Sequence, residues 1–194
     1  RDPELNLYAV KDAVGTPFLL LAGLEPDLRW ERFTTAVRLL AEQLGVRRTI
    51  GLSSIPMAIP HTRPLGVTAH SNNRDLIADH QRWVGEIQVP GSASALLEYR
   101  MGQHGHESMG FSVHVPHYLA QTDYPEAAQT LLENVSTAGE VSLPLAALGA
   151  AAARVRFLGV TIAVLSVYVP AASSAILTRL GMAIPRGLCG SCGR

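Results

Sequence analysis

Apolar residues recur along the chain in two rhythms, and the switching between them is the first structural signal. Leu5 to Val10 reads as a short strand, and Lys11 to Thr16 as a turn. Pro17 leads into Phe18-Leu19-Leu20-Leu21-Ala22, a short and uniformly apolar run that fits a strand covered on both faces. Gly23-Leu24-Glu25-Pro26 breaks the run, and Asp27 is the expected N-cap of the helix that follows. Trp30, Phe33, Val37, Leu40, Ala41 and Leu44 return at steps of three and four, one face of a helix, and Gly45 is its stop. Arg48 to Ser53 is the next strand. Strand, helix and strand at this spacing predict a βαβ unit with parallel strands and a right-handed crossover.

The second half continues the alternation. Leu65 to Ala69 reads as a strand, Asn72 to Asp79 as a short helix or loop, and Gln81 to Pro90 as irregular. Ser92 or Ser94 can cap a helix whose inner face is Leu96, Leu97 and Met101, ended by Gly102 and Gly105. Met109 to Val115 is a strand. Asp123 and Glu126 form a capping-box pattern with Pro125 in the first turn, so both acids read as caps rather than catalytic carboxylates. Ala128, Leu131, Leu132 and Val135 give that helix its buried face, and Gly139 closes it. Leu143 to Val155 is alanine-rich and predicted helical after Pro144. Together these elements predict a three-layer α/β/α domain over 1–156 around a mixed, mostly parallel sheet.

The region 157–194 changes character and is expected to be an atypical, irregular apolar tail. Phe157 to Leu177 carries no charge, a length near the lower limit for a membrane span. Pro170 in mid-run, with Gly159, Ser173 and Ser174, argues against a transmembrane helix.

Charge narrows the function classes. The net charge is +0 at neutral pH, so no bulk attraction to nucleic acid is expected. Residues 1–140 hold all 16 acids against 11 Arg and Lys, whereas 141–194 hold five arginines and no acid. Arg1-Asp2-Pro3-Glu4 does not open a signal peptide, and the expected location is cytoplasmic. The first residue is not Met, which suggests a fragment or processed product. Cys189 and Cys192 form a CxxC in the tail with no second ligand pair nearby, and read as incidental.

Candidate chemistry gathers on loops after strand ends, where open α/β sheets bind ligands. SSIPMAIPHTRPLGVTAH at 53–70 holds His61, Thr62 and Arg63 between Pro60 and Pro64, and the two prolines stiffen that loop. With Glu25 and Arg29 after the first core strand, and His114, His117 and Tyr118 at the last, these residues are expected to converge on one crevice for a ligand or partner. Glu25 and Arg29, four apart, can instead simply pair. All seven histidines lie between His61 and His117, yet His104-x-His106 and His114-x-x-His117 do not make the three or four converging ligands a metal needs. No metal and no cofactor is expected. A triad can be drawn from Ser53 or Ser54, His61 and Glu25, but no G-x-S-x-G elbow supports it. No Walker loop or G-x-G-x-x-G is present.

Five separated segments carry a family resemblance: GLEPDLRW at 23–30, SIPMAIPHTRP at 54–64, TAHSNNRDLI at 68–77, EIQVPGSASALLEYRMGQHGHE at 86–107 and GFSVHVPHYLAQTDYPEAAQTLLE at 110–133. In this order they resemble the proteasome assembly chaperone 2 family in its actinobacterial form, from about Leu5 to Arg156. Gly23, Leu24, Glu25, Pro26, Arg29 and Trp30 match one motif of the family, Pro60 to Pro64 a second, and Val115 to Tyr118 a third. The resemblance implies an α/β/α fold similar to purine nucleoside phosphorylases, and kinship with proteins that help assemble proteasome rings. It supplies no catalytic residues. Members usually begin with a further strand and helix, so the domain is expected to be N-terminally incomplete, and they usually end in a charged helix. The apolar tail in its place reads as an out-of-frame or unrelated terminus. The resulting expectation is a non-enzymatic interaction or assembly factor that self-associates and meets proteasome subunits, without nucleic acid or membrane. The alternative is an anion-binding protein or a phosphorylase- or hydrolase-like enzyme working in the crevice of the His61–Arg63 loop.

Overall fold

In the computed structural model, described here for residues 5–80, 88, 90–120, 124–145 and 160–166, one six-stranded sheet carries helices on both faces. The strands are β1 (Leu5–Lys11), β2 (Pro17–Leu24), β3 (Arg48–Met57), β4 (Val67–Ser71), β5 (Glu107–Pro116) and β6 (Val160–Ser166). The helices are α1 (Trp30–Gln43), α2 (Ala93–Gln103) and α3 (Pro125–Gly139). The order across the sheet is β1-β2-β6-β3-β5-β4.

The two faces follow from strand alternation. Leu19 and Leu21 of β2 pack with Val37 and Ala41 of α1 and Leu97 and Met101 of α2. Ile50 and Leu52 of β3, with Met109, Phe111, Val113 and Val115 of β5, pack on the other face with Ala127, Leu131 and Val135 of α3. Phe111, Ile50 and Met109 are completely buried. Each such side chain contributes about 1.5–3 kcal/mol by leaving water. The mixed α/β architecture with two helical layers is therefore as expected.

The sheet differs from expectation in its pairing. β3 and β5 are parallel, while β1–β2, β2–β6, β3–β6 and β4–β5 are antiparallel, so the sheet is mixed but not mostly parallel. β2 and β3 do run in the same direction, since each is antiparallel to β6, but β6 separates them. The inserted strand comes from the segment expected to be an irregular tail, whose remainder lies outside the described residues. Its apolar β-branched composition, VTIAVLS, suits a central strand as well as it suits a loose tail. Among the described residues no helix is long and apolar enough to cross a membrane.

Three caps also depart from the sequence pattern. The N-cap of α1 is Arg29, at φ 60°, rather than Asp27. The Trp30 indole donates to the Pro26 carbonyl at 2.6 Å, which folds the intervening loop tightly and moves the helix start onward. α3 begins after Tyr124, which provides no side-chain cap, with Pro125 at its start; Asp123 lies outside the described residues. At its far end the left-handed position falls on Glu140, at φ 54°, and Gly139 is the last helical residue. Ser92 caps α2 as expected, its hydroxyl accepting from the Ala95 N–H at 3.1 Å. The expected irregular stretch at 81–90 and the helix at 143–155 fall largely outside the described residues.

Candidate functional site

The shared direction of β2, β3 and β5 brings three loops to one edge of the sheet, at the carboxyl ends of these strands. Glu25 and Arg29 follow β2, His61 to Arg63 follow β3, and His117 and Tyr118 follow β5. The side chains on this rim divide into two groups. Glu25 accepts from the Ala93 N–H, so its carboxylate sits on the N-terminus of α2, where the helix dipole favours negative charge. It does not pair with Arg29. His61 is held by Tyr118, whose hydroxyl accepts from the His61 backbone N–H at 2.9 Å and lies 2.7 Å from His61 Nδ1. The rings meet edge-on, with centroids 5.9 Å apart.

The second group faces solvent. Arg29, Thr62, Arg63 and His117 are exposed, and neither guanidinium makes a hydrogen bond or ion pair with another described residue. Leu28 is 78% exposed, and Leu24 and Tyr118 also stand out into water. The rim therefore alternates free cations with uncovered apolar surface.

The drawn triad does not assemble. Ser53 Oγ lies 2.5 Å from Ser112 Oγ, while His61 is bonded to Tyr118 and Glu25 to α2. His104 Nδ1 meets the Arg100 carbonyl and His106 Nε2 meets Glu42, so these two histidines turn to different partners. Among the described residues no three His, Cys, Asp or Glu side chains are grouped to hold a metal.

A second polar constellation lies on the sheet face that carries α1 and α2. As a group it was not singled out from the sequence, which named only His114 and, in the drawn triad, Ser53. On this face β3 presents Thr49, Gly51 and Ser53, and β5 presents Ser108, Gly110, Ser112 and His114, in the paired rows Thr49–Ser108, Gly51–Gly110 and Ser53–Ser112. β4 adds Thr68 opposite Ser112 and His70 opposite Gly110. His114 Nε2 is 2.8 Å from Thr68 Oγ1, and burial pushes this imidazole below its ordinary pKa, which keeps it neutral near pH 7. Over the glycine row, His70 Nε2 lies 2.6 Å from Glu98 Oε2 of α2. That bond raises the His70 pKa above its ordinary value, and partial burial opposes it. A side chain on Gly51 would collide with Glu98 Oε1, and one on Gly110 would meet His70 Nε2 at 2.5 Å. Glycine at both positions is what lets the acid and the imidazole lie on the sheet. The signal that could have found this face is the alternation in Ser-Met-Gly-Phe-Ser-Val-His-Val at 108–115, where every second residue is small or polar.

The PAC2 family profile matches residues 1–157. The chain belongs to the PAC2 family. A Mycobacterium tuberculosis protein of unknown function is 73% identical over 78% of this chain and 53% of its own, with a TM-score of 0.75. A Corynebacterium glutamicum protein of unknown function is 43% identical over 77% of this chain and 56% of its own, with a TM-score of 0.73. This PAC2 chain thus spans little more than half the length of these two relatives. A Mycobacterium tuberculosis proteasome-assembly chaperone homologue is 20% identical over 77% of this chain and 70% of its own, with a TM-score of 0.62, a likeness of fold. No curated protein matches the chain.

Proposed function

We propose that this PAC2 chain is a non-enzymatic interaction factor whose carboxyl-end rim docks a protein partner, with proteasome subunits as that partner. One observation carries the reading. The Glu25 carboxylate is spent on α2 and the exposed His61 is bonded to Tyr118, while Arg29, Arg63, Leu24 and Leu28 are left for something outside the fold, and the exposed His117 has no side-chain partner among the described residues to orient it as a base. Catalysis needs a base within reach of a substrate proton and oriented by a third group. Docking needs apolar anchors with a charged rim. The rim has the second pattern. The choice of partner is supported by membership of PAC2, and by structural neighbours described as a proteasome-assembly chaperone homologue and as an archaeal proteasome activator from Pyrococcus furiosus.

The same reading includes self-association and a cytoplasmic setting. β1 and β4 are the outer strands of the sheet, each with one side unpaired among the described residues, and such edges invite a second chain. We also read the three layers as a variant of the purine nucleoside phosphorylase-like fold in which β6 is inserted between β2 and β3.

Co-purification of the full-length protein from its own cells tests the proposal. Wild type is expected to bring down proteasome subunits, and Leu28→Asp/Arg63→Ala to lose them by about tenfold or more, as expected for removal of anchor residues. A His61→Phe variant, which keeps the ring against Tyr118, is expected to behave as wild type. Recovery unchanged in Leu28→Asp/Arg63→Ala, or absent in wild type, overturns it.

A further inference from the structure

The polar face beneath α2 is built unlike the rest of the sheet. Sheet faces turned toward a helical layer are normally apolar, since burial of that face is what joins the layers. β2 obeys this with Leu19 and Leu21 against α1 and α2. β3, β5 and β4 present glycines, hydroxyls and imidazoles on the same face instead. Ser53 is exposed although it is paired with Ser112 of β5; it lies just past Leu52, where the pairing of β3 with β6 ends. The face is thus partly roofed and partly open.

One further observation points to a ligand. One carboxylate oxygen of Glu98 is taken by His70, while Oε1 lies over Gly51 and makes no hydrogen bond with a described residue. Thr49 Oγ1 and Ser108 Oγ also have no hydrogen-bond partner, but they are buried one row further along, beyond the glycines that Glu98 and His70 cover, and lie outside this group.

We propose that Ser53, Ser112, Thr68, His114, His70 and Glu98 form a binding site for a small uncharged sugar, with the Glu98 carboxylate accepting from ring hydroxyls. The chemistry of the group sets the class. Hydroxyls and imidazoles each donate and accept, which matches a ligand whose own groups do both. A carboxylate with a free oxygen is an acceptor for ribose-type hydroxyls, the use made of it in dinucleotide sites. The six residues include no Arg or Lys, and the His70–Glu98 pair balances its own charge, so this group offers a phosphate or carboxylate no uncompensated cation. Adjacent strands stand about 4.8 Å apart and same-face residues about 6.6 Å apart along a strand, so two rows of the face span one sugar ring. This site is separate from the proposed docking rim, and neither proposal depends on the other.

The test is NMR of the histidine imidazoles in the full-length protein, with D-ribose and D-glucose as probes at about 10 mM, above the millimolar range of weak specific binding. The expected result is a saturable shift of the His70 and His114 signals with at least one sugar and none with inorganic phosphate. Ser53→Val, a change at an exposed strand position that suits a β-branched residue, is expected to weaken that shift about tenfold while leaving the rest of the spectrum folded. Glu98→Gln, which keeps the size of the side chain, is expected to weaken it as well. No shift with either sugar overturns the proposal, as does an equal shift with phosphate or an undiminished shift in Ser53→Val.

Discussion

His70 shows how much one side chain can depend on residues that do nothing themselves. It lies on β4 above Gly110 of β5, and it reaches Glu98 because Gly51 and Gly110 leave the sheet bare beneath the pair. Its pKa in the fold is raised by the bond to Glu98. A raised imidazole contributes stability that is fully present below the unfolded value, about 6.5, and is lost as pH rises through the folded value. Replacing it with glutamine should therefore cost more at pH 5.5 than at pH 9, where the pair contributes less. The His70 side chain is 54% exposed, so solvent screening keeps the effect small, under about 1 kcal/mol. Urea titrations of wild type and His70→Gln at the two pH values check it; an equal cost at both would mean that the charge on His70 plays no part. None of this was evident from the sequence, because the pair joins residues 28 positions apart. The alternation that creates its floor was visible at 108–115, but a strand's polar face is ordinarily taken as its solvent face.

At the scale of elements, the strands and helices were the most legible part of the chain. The apolar steps of α1 and α3 and the continuous run of β2 place these elements directly. Ends were less legible where a tertiary contact overrides a local signal. Asp27 has the chemistry of an N-cap, yet the Trp30 indole pulls the loop onto Pro26 and Arg29 takes the position. Glu25 looked like a crevice residue and is instead half of the cap on α2, which it shares with Ser92. That sharing yields a prediction. Ser92→Ala should destabilise the protein by about 1 kcal/mol, the usual worth of an N-cap hydroxyl. With Glu25→Ala added, the loss should exceed the sum of the single changes, because each side chain partly covers for the other at one helix end. Thermal or urea unfolding of the three variants measures this; strict additivity would show that the two caps act independently.

At the scale of the molecule, the sheet order is what sequence reasoning could not supply. A strand–helix–strand pattern predicts neighbours, and β2 and β3 would be neighbours had β6 not arrived from more than 100 residues downstream to lie between them. Long-range pairing of this kind leaves no local trace. The shared direction of β2, β3 and β5 was legible all the same, and with it the edge where the loops after them meet, although the antiparallel β1, β4 and β6 were not. That edge carries the central claim, that a partner protein docks on the rim formed by the segments after β2, β3 and β5. Hydrogen–deuterium exchange of the full-length protein, alone and with purified proteasome subunits, tests it most directly. The account predicts slowed exchange confined to residues 24–29, 58–66 and 117–120 when the subunits are present. Unchanged exchange in those three segments, or protection found elsewhere in their place, would contradict it.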